Sequence, residues 1–337
     1  MSIQFDKKYS DVISVENLLL AWQEFARGKR HKPDVQLFAR NLMTNIHDLQ
    51  SDLATQAYKH GGYYGFKISD PKPRDIHKAS VRDRLLHHAI YRQLYPFFDR
   101  IFVADSYSCR LGKGTQKAGE RFRKMANQVS RNNTRTCWVL KGDIRKFFAS
   151  IDQARLLDIL IKRIDDKQIL WLLENVIHSF EIGGMPIGLP LGNLTSQLLV
   201  NVYMNEFDQF AKHYLKIKQY IRYADDFVVL SDSRPWLQAQ IPLMEQFLCE
   251  QLSLQLHPTK VKIQTLAAGV DFLGWVYFPH HKVLRTKTKQ RMYRRLRAHP
   301  TEPTMQSYKG MLQHGNTFKV AQELDNAYWL LREKDEI

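Results

Sequence analysis

Asp225 and Asp226 stand side by side in Tyr220-Ile221-Arg222-Tyr223-Ala224-Asp225-Asp226-Phe227-Val228-Val229-Leu230, between two short apolar runs. Runs this short, rich in Tyr, Ile and Val, predict β-strands, and the polar Ala-Asp-Asp between them predicts the turn of a hairpin. Two carboxylates at one hairpin tip repel each other unless a cation joins them. Mg²⁺, which takes carboxylate oxygens together with substrate phosphates, suits that place. A third carboxylate, Asp143, follows the apolar run Cys137-Trp138-Val139-Leu140. If the strand ends meet, Asp143, Asp225 and Asp226 make a cluster that can hold two Mg²⁺ about 3.5–4 Å apart, the geometry of in-line phosphoryl transfer. One ion would activate an attacking 3′-hydroxyl, and the other would neutralise a pyrophosphate leaving group.

The flanking sequence supplies the elements that must position these groups. Ser14 caps a predicted helix over 14–27, whose apolar face is Leu18, Leu19, Trp22, Phe25 and Ala26. A second helix is predicted from Pro33, carried by Val35, Phe38, Leu42, Ile46, Leu49 and Leu53 and broken by Gly61-Gly62. Asp70-Pro71-Lys72-Pro73-Arg74 reads as an extended basic segment, because each proline disfavours a helical residue before it. Ser80 caps a helix expected to end near Tyr95-Pro96. A loop with Arg110 and Lys113 leads to a helix over 117–129. Two helices are predicted near 152–164 and 166–179. The glycine- and proline-rich 181–193 is irregular, and a helix follows over 194–215. After the acidic hairpin come a helix over 236–252, a strand near 260–266, a hairpin holding Phe272-Leu273-Gly274-Trp275, and a basic helical tail. This order predicts an α+β fold with an antiparallel sheet at its core.

The chain has 337 residues and a formal net charge of +16, with a pI of about 9.6. That balance points to a polyanionic partner, nucleic acid before membrane surface. An aromatic share of 12% adds the stacking capacity that single strands use. The three cysteines, Cys109, Cys137 and Cys249, are far apart, so neither a zinc site nor a disulfide framework is expected, and a reducing cytoplasm fits. Met1 to Lys8 holds no apolar signal-peptide core, and no apolar run is long enough to span a bilayer.

Six blocks in order resemble a reverse transcriptase over about 60–278. Lys72-Pro73-Arg74 with Ser80 to Arg84 resembles the first fingers block, and Ser108 to Thr115 the second. Asp143 to Phe148 resembles the block of the first catalytic Asp, and Tyr223-Ala224-Asp225-Asp226 the signature hairpin. Leu256-His257-Pro258-Thr259-Lys260 resembles the block with a lysine near the triphosphate, and Phe272-Leu273-Gly274 the primer grip. A further block, Gly188 to Gln197, places Leu191-Gly192 and Ser196-Gln197 where most of the family has Gln-Gly and Ser-Pro. That departure resembles the reverse transcriptases of diversity-generating retroelements, which copy a template-repeat RNA into cDNA with errors at adenines.

The resemblance implies a right-hand polymerase. A helical N-terminal extension covers 1–60, interleaved fingers and palm cover 61–278, and a small basic helical thumb covers 279–337. Asp143, Ile144, Asp225 and Asp226 would hold two Mg²⁺, with Mn²⁺ as an alternative. Lys260 would assist pyrophosphate release, with Lys262 as a rival. Lys72, Arg74, Arg110, Ile144, Phe148, Leu191, Gly192 and Gln197 would contact the dNTP, Phe148 by excluding a 2′-hydroxyl. Phe272, Leu273 and Gly274 would shape a turn against the primer. Lys287, Lys289, Arg291, Arg294 and Arg295 suit phosphate contacts. The segment after 278 is expected to leave no room for an RNase H, integrase or endonuclease module.

The implied partners are template-repeat RNA, cDNA or primer, dNTPs and a small basic pentameric accessory variability protein. The implied setting is the cytoplasm of a bacterium, from a bacterial or phage gene, with no membrane. A group II intron-like or phage-defence reverse transcriptase is the alternative enzyme. A maturase-type RNA-binding scaffold is the non-enzymatic alternative, against which the intact three-Asp set argues.

Overall fold

Ser14 caps as its sequence position predicts, accepting a hydrogen bond from the Asn17 N–H at 3.2 Å. The computed structural model describes residues 3–69 and 73–335. The cap lies between α1 (Tyr9–Ile13) and α2 (Val15–Ala26). The helix predicted from Pro33 is two, α3 (Pro33–Arg40) and α4 (Leu42–Ala54). Asn41 separates them with φ −120° and ψ 42°. The Asn45 side chain then donates to the Phe38 carbonyl at 2.9 Å, satisfying one acceptor left free at the helix end.

A hairpin that the sequence reading lacked follows, β1 (Tyr63–Ile68) against β2 (Arg74–Ala79), in register from Tyr63↔Ala79 to Ile68↔Arg74. Next, α5 (Val81–Ile101) does not stop at Pro96 but continues for another turn. Proline inside a helix costs about 3 kcal/mol. Burying Phe97 and Phe98 in the core beyond it returns roughly 1.5–3 kcal/mol for each ring, enough to carry the helix through. After the loop come α6 (Thr115–Val129), β3 (Trp138–Asp143), α7 (Gln153–Ile161), α8 (Lys167–His178) and α9 (Leu194–Gln209), the last closed by a π-helical turn over Phe210–Tyr214.

Then come β4 (Tyr220–Tyr223), β5 (Asp226–Ser231), α10 (Arg234–Leu252) and β6 (Lys262–Thr265). These strands and β3 form one antiparallel sheet in the order β4-β5-β3-β6. Phe227 and Val229 of β5 enter the main hydrophobic core with α2, α4, α5, α9 and α10, whereas Val228 and Leu230 enter a second cluster under α6. A sheet covered on both faces reads as an unbroken apolar run rather than an alternating one, which is what Phe227-Val228-Val229-Leu230 is.

The chain then forms a small sheet, β7 (Val270–Phe272), β8 (Trp275–Tyr277) and β9 (Lys282–Leu284), and three helices, α11 (Thr286–Ala298), α12 (Glu302–Leu312) and α13 (Phe318–Asp335). The strand β9 runs past residue 278 without leaving that sheet, and sequence reading had no strand there. The last helices build their own cluster around Met292, Leu296, Met305, Leu312 and Leu324. Trp275 packs against both this cluster and the one under α6. Gly315 lies against its indole so closely that a Cβ there would fall 2.2 Å from a ring carbon.

Gly142 stands opposite Phe227 in the β3–β5 ladder, and a Cβ on it would lie 2.2 Å from the Phe227 ring. Gly142→Ala should therefore cost about 1–3 kcal/mol by overpacking and lower the midpoint of thermal unfolding by several degrees. Adding Phe227→Leu should restore part of the loss; an unchanged melting temperature in the single variant contradicts the packing described.

Candidate active site

The register of the central sheet decides where the carboxylates meet. Asp143, the last residue of β3, pairs with Asp226, the first of β5. Asp225 occupies the two-residue turn between β4 and β5, and the Ile144 N–H donates to its carbonyl at 3.2 Å. Ala224 completes the turn with φ of 56°, left-handed backbone that a non-glycine residue adopts only under strain. Like charges placed directly across an antiparallel pair destabilise it. The cost is visible at Asp225: burial, then the charge of Asp226 and that of Asp143, push its carboxyl up to about 6, while Lys260 opposes the rise.

Two ammonium groups temper this charge. Lys260 donates to Asp143 Oδ1 at 2.7 Å, whereas Lys262 is exposed and pairs across the sheet with Lys141. The lysine that reaches the carboxylates is thus Lys260. Lys141, which the sequence reading passed over, places its Nζ 3.8 Å from Asp226 Oδ1 and donates to the Asp271 carbonyl of β7 at 3.0 Å. The available signal was parity: on a strand, residues 141 and 143 share a face.

Beneath the hairpin lies a second group that sequence reading missed. Arg222 is 1% exposed and donates from Nε and Nη2 to the two oxygens of Asp208, each at 2.7 Å. It also donates to Ser106 Oγ, to Asn201 Oδ1 and to the Ala224 carbonyl of the turn that holds Asp225. Tyr220 adds a bond to Asp208 at 2.6 Å. A charged residue inside a strand ordinarily reads as solvated, so nothing local in the sequence marks Arg222 as buried.

The fit to a metal follows from the donors. Asp143, Asp225 and Asp226 offer hard carboxylate oxygens, the class that Mg²⁺ and Mn²⁺ prefer. Among the described residues no three His, Cys, Asp or Glu side chains converge into a ready-made cage. Mg²⁺ does not need one, since it is commonly held by one or two carboxylates with substrate phosphates and water. A divalent cation would also relieve the charge crowding that raises Asp225. Ile144 is fully buried, so only its backbone could take part.

Around this centre the other predicted residues separate. Phe148 is half-buried, edge-on to Phe147, and its carbonyl accepts the Leu189 N–H at 2.8 Å. Leu191 accepts the His77 N–H at 3.0 Å, which joins the irregular 187–193 segment to β2. Gly192 has φ of 106°, and a Cβ there would meet Ile76 at 3.0 Å, so this block needs glycine for conformation and for space. Gln197 is half-buried in the first turn of α9. Arg74 is exposed at the start of β2, and Lys72 lies outside the described residues.

Two further residues have partners within the fold. Arg110 pairs with Asp99 at 2.7 Å and donates to the carbonyls of Asp99, Val103 and Ser106, so the folded loop uses its guanidinium. Phe272 is fully buried against Phe122. Leu273 and Gly274 remain at the turn, with φ of 51° and 88°, the paired positive values of a tight two-residue hairpin.

Comparison with known proteins identifies a family. The family described as reverse transcriptase (RNA-dependent DNA polymerase) matches residues 66–277. The chain is similar to Protein YkfC of Escherichia coli K12, with 26% identity over 66% of this chain and 66% of that protein. It is also similar to the group II intron-encoded protein LtrA of Lactococcus lactis, with 20% identity over 65% of this chain and 48% of that protein. A shorter match, 29% identical over 38% of this chain and 16% of the relative, is to nuclear intron maturase 4 of Arabidopsis thaliana. The chain thus spans between about a sixth and two thirds of the length of these relatives. With a family match over most of its length, and with the carboxylates of its central sheet brought to one strand end, this chain belongs to the reverse transcriptase family.

Proposed function

We propose that this chain is an RNA-directed DNA polymerase that adds dNTPs to a primer 3′-hydroxyl and releases pyrophosphate. The observation that carries the reading is the antiparallel register that sets Asp143 opposite Asp226, with Asp225 in the adjoining turn. Asp143, Asp225 and Asp226 would hold two Mg²⁺, or Mn²⁺, with the Ile144 backbone beside them. When bound, the ions lower the pKa of the attacking hydroxyl and offset the charge of the leaving pyrophosphate. Lys260, only partly buried and 2.7 Å from Asp143 Oδ1, would pair with that pyrophosphate. Phe148 would press on the sugar of the incoming nucleotide and disfavour a 2′-hydroxyl.

The finer reading is error-prone copying of a template-repeat RNA, as in a diversity-generating retroelement. It is supported by Leu191 and Gln197, where the commoner pattern has Gln and Pro. Leu191 offers no side-chain hydrogen bond where a Gln would, and one positioning bond is worth roughly 1 kcal/mol, about fivefold in discrimination. An accessory pentamer belongs to this reading. A group II intron-like role is the second reading, and the similarity to LtrA and to the intron maturase favours it.

Three outcomes test these readings. Asp225→Ala should abolish primer extension on an RNA template in Mg²⁺; equal extension by variant and parent rules out the mechanism. Asp225 also predicts a stability signature. Its folded pKa stands above the ordinary carboxylate value, so its contribution is favourable below about pH 4 and is lost as pH rises through about 6. Metal-free Asp225→Asn should therefore melt a few degrees higher than the parent at pH 7.5 and equally at pH 4. Mg²⁺ should raise the parent's midpoint more than the variant's, as calorimetry with and without the ion would read. Finally, sequencing of cDNA made on a defined RNA should show errors clustered at template adenines, reduced about fivefold by Leu191→Gln. A flat spectrum in both proteins favours the group II-like reading.

A further inference from the structure

Helix α6 turns Ala118, Phe122, Met125 and Ala126 inward to the cluster beside the central sheet. Its outer side carries Lys117, Arg123 and Lys124, all exposed, while Arg121 is engaged with Asp105 at 2.8 Å. Beside this outer side runs a groove of about 630 Å³. Four cations line it, Arg123, Lys124, Arg131 and Lys282, against the single carboxylate of Glu120, and the remaining lining side chains are amides.

Two features distinguish this groove from an ordinary solvated basic face. Lys282 is 7% exposed, and its ammonium stands 4.6 Å from the centre of the Trp275 ring and 5.7 Å from that of Tyr277. Burial, and then Arg123, lower its pKa, while Glu120 opposes them. A buried cation placed among other cations is costly unless an anion completes the site. The second feature is the turn that delivers Arg131. Arg131, Asn132 and Asn133 have φ of 49°, 57° and 68°, left-handed backbone that asparagine adopts readily and that costs Arg131 roughly 1–2 kcal/mol. Hydrogen bonds hold the turn: the Asn132 N–H donates to the Asn127 carbonyl at 2.8 Å, and the Asn133 side chain donates to the Pro279 carbonyl at 3.1 Å.

We propose that this groove binds the phosphate–ribose backbone of a structured RNA at a place separate from the polymerase centre. Cations interleaved with neutral amides suit phosphates alternating with ribose hydroxyls, a contact that recognises shape rather than sequence. The lining lacks the large apolar side chains that would enter a bilayer. Gln128 and Arg131 also border the opening formed with Lys216, Lys218 and Leu230, toward the end of β5 away from Asp226, about 14 Å along the strand. The surface can therefore hold an RNA segment while a primer–template occupies the carboxylates.

The experiment uses the full chain saturated with a short primer–template, to which a labelled RNA stem-loop without a primer terminus is added. The stem-loop should still bind. Lys124→Glu with Arg131→Glu, both exposed in the parent, should weaken it about tenfold and reduce the slope of log affinity against log salt by about one per cation removed. Lys282→Met should act in the same direction, and the affinity for the short primer–template alone should stay within about twofold. Failure of the stem-loop to bind the filled protein, an unchanged affinity in the double variant, or a parallel loss of primer–template affinity each overturns the proposal. Every readout is binding, so a chain without polymerase activity would be recognised separately.

Discussion

The central sheet depends on one buried ion pair. Arg222 and Asp208 are both all but inaccessible, and each ion costs several kcal/mol to remove from water. The bidentate geometry and the bonds to Ser106, Asn201, Tyr220 and the Ala224 carbonyl offset that cost. With all partners present, the pair fixes three segments at once: helix α9, the loop before Tyr107 and the turn that carries Asp225. Taking away one partner would leave a naked charge in the core, a loss of about 3–5 kcal/mol. Hydrophobic residues of the same shape could fill this space, but they could not hold a strained turn by its carbonyl.

What that scaffold supports is deliberately unfavourable. Asp143 and Asp226 face each other across a strand pair, and Asp225 in the adjoining turn is driven toward its neutral form. Ammonium groups from Lys141 and Lys260 stand beside the carboxylates, where metal ions would carry the same positive charge. The site is organised around cations before any substrate arrives. Little rearrangement is then required beyond exchange of one positive partner for another, which is the economy of a preorganised electrostatic centre.

Much of this was legible in the residues, for reasons that also explain the omissions. The acidic hairpin announces itself because two apolar runs flank a polar turn, and the helix caps at Ser14 and Ser80 are local chemistry. The β1–β2 hairpin is faint in the sequence: Tyr64, Phe66 and Ile68 alternate with Gly65 and Lys67, but the strand is exposed on both faces and lies between glycines and prolines. Pro96 misled because a local rule yields to burial of Phe97 and Phe98. A motif fixes residue type, whereas the contacts of Arg110 with Asp99 and of Phe272 with Phe122 emerge only in the fold. Arg222 and Asp208 emerge only once the strands are paired, whereas Lys141 shares a strand face with Asp143 and was within reach of parity.

The indole of Trp275 belongs at once to the packing beneath α6 and to the packing of the terminal helices, with Gly315 pressed flat against it. Those helices therefore have no free swivel where they join the sheet. Trp275, Leu284 of β9 and the Asn316 N–H bonded to the Lys282 carbonyl gear them to it, so a rotation reaches the Leu273-Gly274 turn that immediately precedes Trp275. A nucleic acid pushing on the terminal helices would be felt two residues away as a tilt of that turn, with no need for a signal to cross the core.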